Sequence, residues 1–217
     1  MNPVRSSPTG LINQSMNISK KSNTDSATVS TAVAVSNGMN RLAQKYKKEV
    51  VPALKKEFDF KNVMRVPKIT KVIVHVGTGK MSKDGKTTDK IVGDLSKITG
   101  QKPSTRVAKK SISGFKLREG MPVGLMVTLR GRRMYDFIDR LISIALPRSR
   151  DFQGLSPKTM DQGGNMNIGI KEHIIFPEVS YESLRDVFGL QVTIVTTAKN
   201  REEGVRLLRL MGFPIRN

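Results

Sequence analysis

The stretch MPVGLMVTLRG, residues 121–131, decides the fold of this chain. Its large aliphatic side chains occupy every second position. They are Val123, Leu125, Val127 and Leu129, and the residues between them are Gly124, Met126, Thr128 and Arg130. Because successive side chains of a strand point to opposite faces of a sheet, this alternation predicts a β-strand with one buried face and one open face.

Two further stretches, residues 166–173 and 190–197, divide in the same way, and KVIVHVG at 71–77 predicts another strand. Their apolar sets are Met166, Ile168, Ile170 and Leu190, Val192, Ile194; the opposite sets are Asn167, Gly169, Lys171, His173 and Gln191, Thr193, Val195, Thr197. The opposite sets contain no acidic residue, although the chain has 18 Asp and Glu. An RNA-binding sheet face would have this character, and a merely solvated face is the alternative.

Four amphipathic stretches predict helices that cover the apolar face of the sheet. They are residues 41–58, 87–100, 132–146 and 200–212. The expected boundary signals are a kink or restart of the first helix near Val51, caused by Pro52, an N-cap at Thr88 or Asp89, a stop at Pro147, and a capping box of Asn200 and Glu203.

The charge of the chain points to a polyanionic partner. It has 38 Lys and Arg against 18 Asp and Glu, a formal net charge of +20. Such a surplus favours nucleic acid over a membrane surface, because the basic residues are spread along the chain and no apolar run is long enough to span a bilayer. The absence of cysteine excludes disulfides, thiolate metal sites and a cysteine nucleophile.

Composition divides the chain into two parts. Residues 1–40 are rich in Ser, Thr and Asn with little to bury, which predicts a disordered N-terminal extension. An organellar transit peptide or a later start at Met39 are the alternatives for this part. Residues 41–217 carry most of the charge and are long enough for a single domain.

No catalytic or metal-binding motif emerges. The segment 75–80, HVGTGK, lacks the third glycine of a dinucleotide fingerprint and the spacing of a P-loop, so a turn after a strand is expected. The chain has two histidines, His75 and His173, and no carboxylates spaced to complete a metal site with them. We therefore expect no enzyme, no cofactor and no metal.

The segment RVAKKSISGFKLREG, residues 106–120, predicts a long loop with five basic side chains and one acidic. Long loops of compact domains are usually functional, and these cations would bind phosphates. Phe115 would either stack on a base or pack into the core to hold the loop in place. A flexible solvated loop is the remaining alternative.

Four blocks of the sequence resemble a known family. They are ITGQKPSTRVAKKS (98–111), VTLRGRRMYDFIDRLISIALPRSRDFQGLS (127–156), IIFPE (174–178) and VTIVTTAKNREEG (192–204). In this order they are similar to the large-subunit ribosomal proteins that bind 5S rRNA, number five in the large-subunit naming, of the bacterial and organellar type. The likeness covers residues 41–217.

The resemblance implies an α+β fold, with a largely antiparallel sheet, helices packed on one face and an open polar and basic face for RNA. It also implies 5S rRNA contacts on that face and at the strand ends. The corresponding residues are His75, Gln101, Thr128 and Arg130, and Lys171 joins them as a candidate because alternation places it on the same face. Among them His75 replaces a family asparagine, and an imidazole lacks the fixed donor and acceptor pair of an amide.

By the same resemblance, the basic loop faces the peptidyl-site tRNA. Its contact residues would be Arg106, Lys109, Lys110, Ser111, Phe115, Lys116 and Arg118. The other implied partners are large-subunit rRNA, neighbouring ribosomal proteins, and a small-subunit protein across an inter-subunit bridge. The loop 148–165 is the candidate for this bridge because we expect it to be exposed. A cytoplasmic ribosome is expected, with an organellar one as the alternative location, and a free-standing RNA-binding protein or RNA chaperone of low specificity is the alternative function.

Overall fold

A computed structural model describes residues 40–79, 85–150, 152–179 and 187–216. Five strands form one sheet in the order β2-β3-β1-β5-β4, and every neighbouring pair is antiparallel. The strands are β1 (Ile69–Gly77), β2 (Ser104–Val107), β3 (Pro122–Leu129), β4 (Met166–Ile170) and β5 (Leu190–Thr196). The predicted extension, apart from Asn40, lies outside the described residues.

One face of the sheet is apolar and buried, as the alternation predicts. Its buried side chains include Val72, Val74, Val76, Leu125, Val127, Leu129, Met166, Ile168, Val192 and Ile194. The alternate residues of the same strands are exposed or partly exposed, apart from Gly124. The alternation of apolar and other residues along the strands therefore results from packing on one face of the sheet only.

Six α-helical segments of the described residues pack on the buried face of the sheet. They are α1 (Arg41–Lys45), α2 (Val51–Glu57), α3 (Gly85–Thr99), α4 (Gly131–Arg140), α5 (Leu146–Arg148) and α6 (Arg201–Met211). Their buried residues join those of the sheet in one hydrophobic cluster, in which Leu54, Leu95, Phe137 and Leu207 are fully buried. The α+β fold with helices on one face of an antiparallel sheet is thus confirmed.

Both prolines that were expected to interrupt a helix lie in the first turn of an α-helical segment. Pro52 is the second residue of α2 and follows a π-helical turn, Tyr46–Val50. Pro147 is the second residue of α5 and follows another π-helical turn, Leu141–Ala145. A proline is tolerated in the first turn of a helical segment, where its missing N–H would have no partner. The α-helix thus restarts at Val51, as predicted for Pro52, and the second helix ends at Arg148, one residue beyond the stop predicted at Pro147.

Two predicted caps are wrong. Since α3 begins at Gly85, Thr88 and Asp89 lie within the helix rather than before it. At α6 the Asn200 side chain makes no capping hydrogen bond. The Glu203 carboxylate instead accepts from the N–H of Lys199 at 3.1 Å and pairs with Arg65, whose Nη2 lies 3.0 Å from Oε1.

The strand predicted to run through His173 ends earlier. β4 stops at Ile170, and His173 begins a 3-10 turn, His173–Ile175. The His173 ring is buried and stacks on Phe188 with the ring centroids 4.0 Å apart, while its Nδ1 accepts from the N–H of Phe188 at 3.3 Å. His173 is therefore a core residue and not part of the open face.

The turn predicted after β1 lies only partly within the described residues, which end at Gly79 before the gap. Gly77 is the last residue of β1, and the N–H of Thr78 donates to the Val123 carbonyl at 3.0 Å. Lys80 lies outside the described residues.

Candidate nucleic-acid interface

The open face of the sheet presents two rows of side chains that cross the strands. The strand registers align Ser104, Met126, His75, Gln191 and Gly169 in one row, and Thr128, Ile73, Thr193 and Asn167 in the next. None of the five strands contains an acidic residue. The face therefore combines polar side chains with Met126 and Ile73, and no carboxylate on the strands repels a phosphate.

His75 and Arg106 both lie next to Gly124. A Cβ atom on Gly124 would lie 3.1 Å from His75 Nε2 and 2.9 Å from the Val76 carbonyl oxygen, so the imidazole rests where only glycine leaves room. Arg106 is the register partner of Gly124 on β2, and its Nη2 lies 3.7 Å from the sulfur of Met126. The glycine thus brings a cation and an imidazole onto the same part of the face.

This position corrects the assignment of Arg106 to the loop. Arg106 lies in β2, an edge strand that the sequence did not predict. All four residues of β2 are exposed, so the strand carries no apolar alternation that could have revealed it.

Three of the predicted 5S rRNA residues lie at one end of the β2–β3 pair. Thr128 is half-buried on the open face, and Arg130 is exposed at the N-cap of α4. The antiparallel register carries Gln101, which precedes β2, toward the same end, and the Thr99 hydroxyl donates to the Gln101 carbonyl at 3.0 Å. The guanidinium of Arg130 has no hydrogen bond or ion pair with any described residue, which leaves it available to a phosphate or a base.

Lys171 is separate from this group. It follows the end of β4, on the other edge of the sheet, and it is exposed. His75 lies between the two sites, in the central strand β1. The predicted residues therefore do not form one cluster but are spread across the face.

Residues 108–121 form a hydrogen-bonded hairpin, called the arm below. At its base the N–H of Ala108 donates to Met121 at 2.8 Å and the N–H of Gly120 donates to Ala108 at 3.0 Å. Near its tip, Ile112 and Leu117 exchange two backbone hydrogen bonds. The predicted loop is therefore a defined projection from the β2–β3 connection rather than an irregular segment.

The side chains of the arm face solvent. Lys109, Lys110, Lys116 and Arg118 are exposed and have no acidic partner among the described residues. Phe115 is 77% exposed, so the alternative in which it packs into the core is wrong. Ser111 has a structural role, because its hydroxyl accepts from the N–H of Glu119 at 3.0 Å and ties the two sides of the arm together.

Sequence reasoning missed two features of the open face. Lys71 shares the face of His75 in β1 and is partly exposed, and the alternation of KVIVHVG could have identified it. Asn167, Gln191 and Thr193 were placed on the open face, but the sequence did not show that they meet. The Asn167 Oδ1 atom accepts from Thr193 Oγ1 at 2.7 Å and from Gln191 Nε2 at 3.3 Å.

Within the described ranges, no group of three or more His, Asp and Glu residues could hold a metal ion. The helices in those ranges include none that is long and apolar enough to cross a membrane.

Comparison with known proteins agrees with this architecture. Residues 62–118 match the family model described as ribosomal protein L5, and residues 122–215 match the model described as the C-terminus of the same ribosomal family. The boundary between the two matches falls within the arm.

Three bacterial relatives, each named large ribosomal subunit protein uL5, match most of the chain. The protein of Halothermothrix orenii is 52% identical over 176 residues, which cover 81% of this chain and 98% of the relative. That of Rubrobacter xylanophilus is 54% identical over 178 residues (82% and 99%), and that of Herpetosiphon aurantiacus is 54% identical over 179 residues (82% and 100%). The chain therefore belongs to the ribosomal protein L5 family, whose members are structural, non-enzymatic constituents of the large ribosomal subunit.

Proposed function

We propose that this protein binds 5S rRNA through the open face of its sheet and anchors that RNA in the central protuberance of the large subunit. The observation that carries the proposal is the acid-free face, which ends at the free guanidinium of Arg130. In a chain of formal net charge +20, such a face is suited to a folded RNA whose phosphates approach the sheet closely.

The chemistry of the face favours recognition of RNA shape over stacking on bases. The five strands contain no Phe, Tyr or Trp, so the imidazole of His75 is the one ring that they offer for base stacking. Affinity would come from counterions released when Lys and Arg replace them at the phosphates. Hydroxyl, amide and imidazole groups on the face would bind ribose hydroxyls and accessible base edges.

The arm supports a second contact, with the peptidyl-site tRNA. Four cations without acidic partners among the described residues project from the body, together with the exposed ring of Phe115. This combination fits a backbone contact supplemented by stacking on one exposed base. A bridge from the loop 148–165 to a small-subunit protein completes the proposed set of contacts, on a cytoplasmic ribosome or, as the alternative, an organellar one.

A competition titration tests the main proposal. The full-length protein is titrated with labelled 5S rRNA at two salt concentrations, with unlabelled 5S rRNA or a structured RNA of equal length as competitor. Specific binding predicts that the advantage of 5S rRNA persists at the higher salt, because directed contacts are screened less than phosphate contacts. Equal competition by the unrelated RNA would instead favour the alternative, a free-standing RNA-binding protein or chaperone of low specificity.

A further inference from the structure

The two strands farthest from the β2–β3 end carry a linked set of polar side chains on the open face. Asn167 of β4 is the register partner of Thr193 of β5, and Gln191 lies two residues along the same face. The Asn167 Oδ1 atom accepts from Thr193 Oγ1 at 2.7 Å and from Gln191 Nε2 at 3.3 Å. These three residues are called the amide cluster.

The Asn167 amide is oriented with Oδ1 toward Thr193 and Gln191. A carboxamide oxygen has two lone pairs, and both are used here, so the NH2 group must point away from its two partners. That NH2 group has no acceptor among the described residues, and the side-chain oxygen of Gln191, Oε1, has no donor among them. The amide cluster therefore presents a free donor beside a free acceptor, on a face where no carboxylate competes.

A groove of about 590 Å³ adjoins the amide cluster at the edge of β4, and Asn167, Gly169 and Lys171 line it from the sheet side. The lining of the groove also includes Arg150 and Arg216. Among the described residues that line the groove, Glu172 is the sole carboxylate.

The backbone beneath Arg216 is held firmly. Its N–H donates to the Leu155 carbonyl at 2.9 Å, and the Leu155 N–H donates to the Pro214 carbonyl at 2.8 Å. The two segments pair as a short parallel bridge between Leu155 and Ile215. The backbone that carries Arg216 is therefore part of the folded domain.

The combination of these groups favours RNA over a protein segment. A nucleotide needs cations for its phosphate, and a donor beside an acceptor for a ribose hydroxyl or a base edge. The groove supplies the cations and the amide cluster supplies the directed pair, and Asn167 belongs to both. An extended peptide would pair with the backbone at the edge of β4, and the free amide groups of Asn167 and Gln191 would then make no hydrogen bond with it.

We propose that the amide cluster and the adjoining groove form a second RNA-contact region, in which Asn167 determines specificity by donating to a ribose hydroxyl or a base edge. This inference rests on the proposed function, because it assigns a further part of the same face to the bound RNA. It also extends the contact surface from the β2–β3 end to the opposite edge of the sheet.

The test is Asn167→Asp. The carboxylate retains the acceptor for Thr193 and Gln191, so the cluster stays intact, but the free donor becomes an acceptor. Asn200→Asp is the matched control: it adds the same charge at an exposed residue outside the strands, where the native side chain makes no capping hydrogen bond. We expect Asn167→Asp to weaken 5S rRNA binding about tenfold or more, as for loss of a directed contact to a base or ribose. Asn200→Asp should weaken it less than about threefold, because it alters only the overall charge.

Asn167→Ser removes the amide donors without adding a charge. If Asn167→Asp melts well below the wild type, the 5S rRNA affinity of Asn167→Ser tests the inference instead. Equal binding by wild type and Asn167→Ser, or equal losses for the two Asp variants, would overturn the inference while leaving the 5S preference of the wild type intact. If the wild type shows no preference for 5S rRNA, the proposed function fails. A selective loss for Asn167→Asp on every RNA would then still support an RNA contact at the amide cluster.

Discussion

Replacing Gly204 with alanine should destabilise the protein, although alanine is the better helix former. Gly204 lies in the first turn of α6 and packs on the backbone of Gly164, just before β4. An added Cβ would lie 2.7 Å from both the Cα and the carbonyl oxygen of Gly164. The Gly164 backbone cannot readily move away, because its carbonyl accepts from Thr196 Oγ1 at 2.9 Å and its N–H donates to the Asp161 carbonyl at 3.2 Å.

The magnitude follows from two opposing terms. Glycine in a helix costs about 1 kcal/mol relative to alanine, so the substitution gains roughly that amount from helix propensity. Ordinary contacts begin near 3.4 Å, so backbone on one side or the other must shift by about 0.7 Å. Overpacking of this kind costs about 1–3 kcal/mol, and a clash with backbone belongs at or above the upper end. We expect a net loss of about 2 kcal/mol, which for a domain of this size lowers the melting temperature by about 4–8 °C.

Gly93 provides a matched control, because it is also in a helix but has open space around it. It lies in α3, is exposed, and an added Cβ would meet no atom within 4 Å. Gly93→Ala should therefore raise the melting temperature by about 2–4 °C through helix propensity alone. Thermal melting followed by circular dichroism measures both variants. A Gly204→Ala variant that melts at or above the wild-type temperature would refute the packing argument.

Three further predictions concern the interface and the response to pH. Arg130→Ala should weaken 5S rRNA binding by about 1–3 kcal/mol in the competition titration, as for loss of a bidentate contact, and an unchanged affinity would remove Arg130 from the interface. Combined alanine substitution of Lys109 and Lys110 should weaken tRNA binding and leave 5S rRNA binding nearly intact. A large loss of 5S rRNA affinity in this variant would mean that the arm contacts 5S rRNA rather than tRNA. Burial raises the pKa of Tyr46 to about 12, and nearby Tyr135 adds to the shift. Because an unfolded tyrosine ionises near pH 10, the unfolded chain loses this proton first, so the free energy of unfolding should fall from pH 10 to 12. Tyr46→Phe should flatten that decline in urea titrations.

The sequence could predict those parts of the fold in which burial imposes a period. β1, β3, β4 and β5 each have one apolar face against the helices, and the period of two reports it. β2 is exposed throughout and lies at an edge of the sheet, so its residues show no apolar alternation from which a strand could be predicted. The His173 error has a related cause, because alternation assigns a face only while the strand continues, and β4 ends at Ile170.

The candidate interface was only partly predictable, for a different reason. Composition and alternation indicate a basic chain with an acid-free face, but the assembly of side chains from different strands depends on register. Arg106 and His75 are far apart in sequence and share a part of the face because Arg106 pairs with Gly124 and the imidazole rests on that glycine. The meeting of Asn167 with Thr193 likewise follows from the pairing of β4 with β5.

The position of His75 gives the interface a further test, since the family resemblance places an asparagine there. His75 is exposed in the central strand, and its imidazole can donate one hydrogen bond and accept another. His75→Ala should weaken 5S rRNA binding about threefold to tenfold, the range expected for one neutral hydrogen bond. His75→Asn should bind at least as well as the wild type, because an amide supplies the same two functions in a fixed pair. Both variants keep the exposed strand position and should melt close to the wild-type temperature. If His75→Ala binds 5S rRNA as tightly as the wild type, the RNA does not reach the centre of the sheet, and the contact surface would have to be confined to the strand ends.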